Sequence, residues 1–173
     1  MKSKSLRETA VVKILGYTLG LFFAFASSGY AADVLYHGSF CNPNTSVGGQ
    51  AFYNQWGVAN ISPVSSLTVN CGGVLAFSGI SNIEEVDVFV YDRNASEAVV
   101  CTLTTVALDG VAVTTQTQRS FGSSDPGQFL IFNPIGSTIL TTFGLECTIP
   151  PFSPVGPGGG HSHVTTYRVI TTP

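Results

Sequence analysis

The sequence predicts an all-β protein: an antiparallel β-sandwich or jelly-roll-like domain carrying two disulfides. Three observations lead there. Short runs rich in Thr, Val, Ser and aromatic residues alternate apolar and polar positions with a period of two, the pattern of a half-buried strand. Turn-forming residues separate these runs at short intervals, as in a sandwich. Beyond residue 31 no window sustains a 3.6-residue apolar period, so almost no helix is expected.

The start of the chain reads as an address. Residues 1–13 carry Lys2, Lys4, Arg7 and Lys13 against one acid, Glu8. An uncharged run, LGYTLGLFFAFA, fills residues 15–26, and small residues follow in SSGYAAD. Basic, apolar, then small is the order of a secretory signal. The expected cut follows Ala31, with Ala32 as the alternative, leaving 32–173 as one domain. The apolar run is short of the roughly 20 residues a spanning helix needs, so no stable membrane insertion is expected after cleavage.

Strands are expected at residues 34–37, 51–59, 66–71, 86–92, 98–108, 111–119, 128–132, 141–149 and 164–171. In SSLTVNC, Leu67, Val69 and Cys71 face one way and Ser66, Thr68 and Asn70 the other. In EAVVCTLTT, Val99, Cys101 and Leu103 alternate with Val100, Thr102 and Thr104. Asp109-Gly110 signals a tight hairpin, and Ser123 to Gly127 a loop. Asp92-Arg93-Asn94 is expected to form a turn, with Arg93 paired to Asp92 or Glu97. Residues 150–163, PPFSPVGPGGGHSH after Ile149, must be an irregular Pro/Gly-rich connection.

Charge excludes several functions. Beyond residue 31 the chain has three basic residues (Arg93, Arg119 and Arg168), no Lys and nine acids, a formal net charge of −6. Nucleic acid and anionic lipid need Lys/Arg patches and are not expected partners. Schiff-base and P-loop chemistry need a Lys. There is no G-x-S-x-G and histidine is scarce, so no hydrolase triad can be read. No cofactor is expected.

Cys41, Cys71, Cys101 and Cys147 are even in number in a chain expected to be exported, which favours disulfides. Their spacings of 30, 30 and 46 contain no C-x-x-C, unlike a four-thiolate zinc site. Of the three possible pairings, Cys41–Cys71 with Cys101–Cys147 is the one favoured, and Cys71 and Cys101 are expected in or beside the core.

Several pieces recur together: Cys41-Asn42-Pro43; Tyr53 followed by Gly57-Val58-Ala59-Asn60; Val69 to Cys71; VDVFVYDRN ending at Asn94; Val100 to Leu103; Cys147 to Pro151; and Tyr167-Arg168-Val169. Over most of the chain beyond the signal this resembles a group of small secreted bacterial proteins with four similarly placed cysteines, to which no activity is assigned. The resemblance implies an exported, disulfide-bonded β-domain and brings no catalytic residue. It also implies that the sequons at Asn44, Asn60 and Asn94 are idle.

The remaining chemistry is sparse. His161 and His163 alternate, so both imidazoles could reach one metal, with His37 as a third ligand if the fold brings it near. The ordinary reading is a solvated pair on a Gly-rich loop. Glu85 and Asp87 face one way beside Glu84, a solubilising acidic edge by default and a calcium or carboxylate-pair site otherwise. Phe52, Tyr53 and Trp56 form an aromatic cluster. Exposed rings there would suit a sugar or protein partner, but filling the core is the ordinary role of a lone Trp and is what we expect of Trp56. The reading is an exported, non-enzymatic β-sandwich that binds a partner or surface. A carbohydrate-binding module (through Tyr53 and Trp56), a metal-binding protein and a structural subunit of a surface assembly are the alternatives.

Overall fold

A computed structural model of the chain describes residues 32–44, 48–72, 82–107, 112–122, 127–133, 140–154 and 160–172. The expected signal at 1–31, the Asp109-Gly110 turn and most of the 123–127 loop lie outside the described residues. The strands are β1 (Ala32–His37), β2 (Asn42–Pro43), β3 (Ala51–Asn54), β4 (Gly57–Asn60), β5 (Leu67–Asn70), β6 (Asn82–Tyr91), β7 (Val100–Ala107), β8 (Ala112–Arg119), β9 (Gln128–Phe132), β10 (Leu140–Ile149) and β11 (His163–Thr172). A single 3-10 turn, Gly38–Phe40, is the only helical element among the described residues.

The strands form two antiparallel sheets that pack face to face as a sandwich. One has the order β3-β4-β11-β6-β9, with β1 also paired to β11; the other runs β2-β5-β10-β7-β8. The alternating apolar positions fill the space between them. Val58, Val86, Val88, Val90, Leu130, Phe132, Val164 and Val169 come from the first sheet. Leu67, Val69, Leu103, Phe143, Leu145 and Ile149 come from the second. Burying a side chain of this size contributes about 1.5–3 kcal/mol each relative to exposure.

Strand β11 is the last in the chain and a central strand of its sheet, pairing with β4, β6 and β1. Its register shifts between Val164 and Thr166, a bulge that resets the alternation. Val164 points into the core before the bulge, and Tyr167 and Val169 do so after it. Tyr167 stacks on Tyr36 at 4.9 Å. Burial pushes its hydroxyl up to about 12, with Tyr36 adding to the effect.

Residues 51–59 are not one strand, as expected, but the hairpin β3–β4. The pairing of Asn54 with Gly57 leaves Gln55-Trp56 as a two-residue turn. The Asn54 side chain closes it by accepting from the Trp56 N–H at 2.7 Å. Gly57 sits at φ +113, where an L side chain is strained, and a Cβ there would lie 2.1 Å from the Val164 carbonyl oxygen.

Both disulfides form as favoured, Cys41–Cys71 and Cys101–Cys147. Cys101 and Cys147 are direct cross-strand partners in β7 and β10. All four sulfurs belong to fully buried residues. Two such bonds suit an oxidising compartment. The second closes a loop of 46 residues, which on the chain-entropy model stabilises by about 4 kcal/mol. Replacing Cys101 and Cys147 together by Ala should lower the unfolding free energy by that order, measured by urea denaturation against the oxidised parent.

Candidate functional site

β6 reads Val86-Asp87-Val88-Phe89-Val90-Tyr91, and its three valines are wholly buried. Alternation therefore puts Asp87, Phe89 and Tyr91 on the outer face of the first sheet. Register continues this face across the neighbouring strands. Tyr91 pairs with His163, His163 with Ala59, and Ala59 with Phe52. Phe89 pairs with Phe129 at the β9 edge. The Phe89 ring lies 4.8 Å from Phe129 and 5.3 Å, edge-on, from Tyr91.

At one end of this face lies an open cleft of about 230 Å³ lined by Trp56, Tyr91, Arg93 and His163. Trp56 does not fill the core: it is 54% exposed, because the β3–β4 turn carries it out of the sandwich. The Arg93 guanidinium stands over the Tyr91 ring at 5.5 Å, a cation–π arrangement. His163 Nδ1 is buried with no hydrogen-bond partner. Burial first, then the nearby charges of His161 and Arg93, lower the His163 pKa to about 4. The ring is thus neutral at ordinary pH.

Beneath the cleft a buried polar network holds the backbone. Asp92 is fully buried, and its carboxylate accepts from the hydroxyls of Ser120 and Ser162 and from the Asn94 N–H. Ser162 Oγ also accepts from the Arg93 N–H at 2.9 Å. The Asp92 oxygens take these neutral donors, and the Arg93 guanidinium stands over the Tyr91 ring. The Asn60 side-chain amide donates to the carbonyls of Ser65, Ile149 and Pro150 and accepts from the N–H groups of Gln50 and Ser62. Asn94 likewise bonds Pro151, Ser96 and Glu97. Two of the three sequon amides, those of Asn60 and Asn94, are thus spent inside the fold.

The other expected site residues fall elsewhere. Tyr53 is 42% exposed, on the face of β3 opposite Phe52, and its hydroxyl donates to the Cys41 carbonyl at 3.0 Å. His37 sits between Ser39 and the Gln55 carbonyl. His161 packs on Phe152 and hydrogen-bonds the Asn60 carbonyl. Among the described residues no group of three His, Cys, Asp or Glu side chains could hold a metal, so the three histidines are not brought together.

Glu85 and Asp87 do share a face, where Arg168 occupies them. Its Nε donates to Asp87 at 3.1 Å, with Asp33 at 3.6 Å and Glu85 at 3.9 Å. Burial and the Asp87 carboxylate hold Glu85 above the usual carboxylate range, with Arg168 acting against them. β1 and β11 pair with one another, so each terminal strand has its partner within the domain. Tyr91, Phe89 and Phe129 were not singled out from sequence, and Arg93 was read only as part of a turn, although the alternation VDVFVYDR places Phe89, Tyr91 and Arg93 on one face.

No family model matches the chain, and no curated protein matches it. Among solved structures, it is similar to a low-affinity xylan binding module from Roseburia intestinalis. The identity is 8%, covering 82% of this chain and 96% of that one, with a TM-score of 0.46. It is also similar to the VP2 subviral particle of infectious bursal disease virus, at 13% identity, 84% and 33% coverage and TM-score 0.46. A third is the enzymatically active domain of tailspike protein 4 from bacteriophage CBA120, at 8% identity, 83% and 19% coverage and TM-score 0.42. At such scores these likenesses carry no inference about what this chain binds.

His163 also makes stability depend on pH. Its pKa falls from 6.5 to about 4 on folding, so between those values the unfolded chain takes a proton that the native one refuses. Stability should therefore drop as pH falls from about 6.5 to about 4. His163→Gln should remove that part of the drop, read as the difference in urea midpoint between pH 7 and pH 4.5.

Proposed function

We propose that this protein is an exported, non-enzymatic binding domain that holds a neutral glycan in the cleft formed by Trp56, Tyr91, Arg93 and His163. The observation that carries this reading is the exposed Trp56 ring facing a cleft with Tyr91, where a small sandwich ordinarily buries its Trp. A sugar ring has a flat apolar face that stacks on such a surface and a rim of hydroxyls that needs hydrogen bonds. Arg93 supplies donors, and the neutral His163 lies beside them. Binding without cleavage fits the placement of the acids in and just after β6. Asp92 is sealed in the interior, and Asp87 and Glu85 surround Arg168 rather than an open cleft. Export fits the basic, apolar and small-residue order of the first 31 residues together with the two disulfides.

Affinity electrophoresis of the oxidised protein in gels containing xylan, galactomannan or mixed-linkage β-glucan tests this. At least one polymer should retard the protein, and Trp56→Ala should weaken that retardation about tenfold or more, the size of one lost ring contact. Retardation by none of them, or full retention of binding by Trp56→Ala, would sink the reading in favour of a protein partner.

A further inference from the structure

We infer that the cleft is one end of a longer track, and that the ligand is an internal stretch of a neutral polysaccharide chain rather than a terminal sugar. This rests on the glycan reading above and extends it to ligand length and to a second anchor, Phe129. From the cleft, Tyr91 leads to Phe89 and Phe89 to Phe129 by ring-to-ring contact, with centroids 5.3 and 4.8 Å apart. Phe129 ends the series on the edge strand β9 and is 61% exposed, more than Trp56. On β9 the outward Phe129 and Ile131 are exposed while Leu130 and Phe132 are buried, so the outer edge of this face is apolar and open to water.

The distance decides the length. Trp56, in the turn that leads into β4, and Phe129, in β9, are separated by three inter-strand steps through β11 and β6, about 14 Å at the usual strand spacing. One pyranose cannot touch both ends; a chain of about three rings laid across the strands can. Gly127, just before β9, packs closely against the Phe89 ring, and a Cβ there would lie 2.6 Å from it and displace it from the series. Charge selects the occupant. Beyond residue 31 the chain carries nine acids against three arginines, and one of those, Arg168, is already held by Asp33, Glu85 and Asp87 on this face. A polyanion would be repelled, whereas an uncharged chain loses nothing.

Isothermal titration of the oxidised protein with xylo-, manno- and gluco-oligosaccharides of two and six units tests the track. The six-unit ligand of the recognised series should bind at least tenfold more tightly than the two-unit one. Phe129→Ala should cost the six-unit ligand about tenfold and leave the two-unit ligand unchanged, while Trp56→Ala weakens both. An unchanged thermal midpoint checks that Phe129→Ala is folded, and Phe129→Leu, which keeps an apolar side chain but no ring, should behave like it in binding. Equal affinity for the two lengths, or six-unit binding that survives Phe129→Ala, overturns the track and leaves the glycan reading standing. No binding in any series overturns both. A concentration-dependent dimer in sedimentation that Phe129→Ala dissolves assigns the outer face to a second copy of this chain and overturns the track.

Discussion

The structure depends on the alternation of one strand. β11 stands between β6 on one side and β4 and β1 on the other, so every side chain it turns inward must meet the opposing sheet. Strict alternation from Val164 would send Tyr167 and Val169 outward and Arg168 into the core. The bulge between Val164 and Thr166 shifts the phase by one residue. The apolar set then faces the core on both sides of the bulge, and His163 and Arg168 both face out. Core and candidate site are thus two faces of the same choice of register.

The same strand supplies the site with stiffness. Ser162, just before β11, ties the start of that strand to the Arg93 backbone and to the buried Asp92 carboxylate. Asp92 in turn holds Ser120, which precedes the loop leading to β9. A buried carboxylate met by neutral donors is costly to leave unpaired, so the backbone at Arg93, Ser120 and Ser162 is held in place. A cleft built this way is rigid, and rigidity would lower the ordering cost of any binding there. The Asn60 amide does the same for the chain around Pro150, by linking segments far apart in sequence.

Much of the fold was legible from sequence because its signal is local. The β9 bounds agree with the pattern of QFLIF, and burial follows the alternation in VCTLT, and in LTVNC except at Thr68, which is buried as well. The disulfide pairing followed chain order because each pair links strands that meet in the second sheet and its neighbourhood. The hairpin inside 51–59 was missed because Phe52, Tyr53, Val58 and Ala59 look like one apolar run. The breaking signal was Gly57 and the turn-closing Asn54, two residues of ordinary type. Trp56 was misjudged for the same reason: its exposure follows from being a turn residue, not from its hydrophobicity.

By itself the sequence determined the class, most of the strands and the buried cysteines, because period-two patterning and an even thiol count are properties of neighbouring residues. It also determined which chemistries are missing, since a chain with no Lys beyond residue 13 cannot do what Lys does. Only the tertiary structure decided which outward residues meet. Trp56, Tyr91, Arg93 and His163 come from three separate parts of the chain, and nothing local couples them. Their meeting is set by strand order and by the β11 bulge, which answer to the packing of the whole core. That is why the acids proved to surround an arginine, the histidines proved to be scattered, and the aromatic rings proved to share a face.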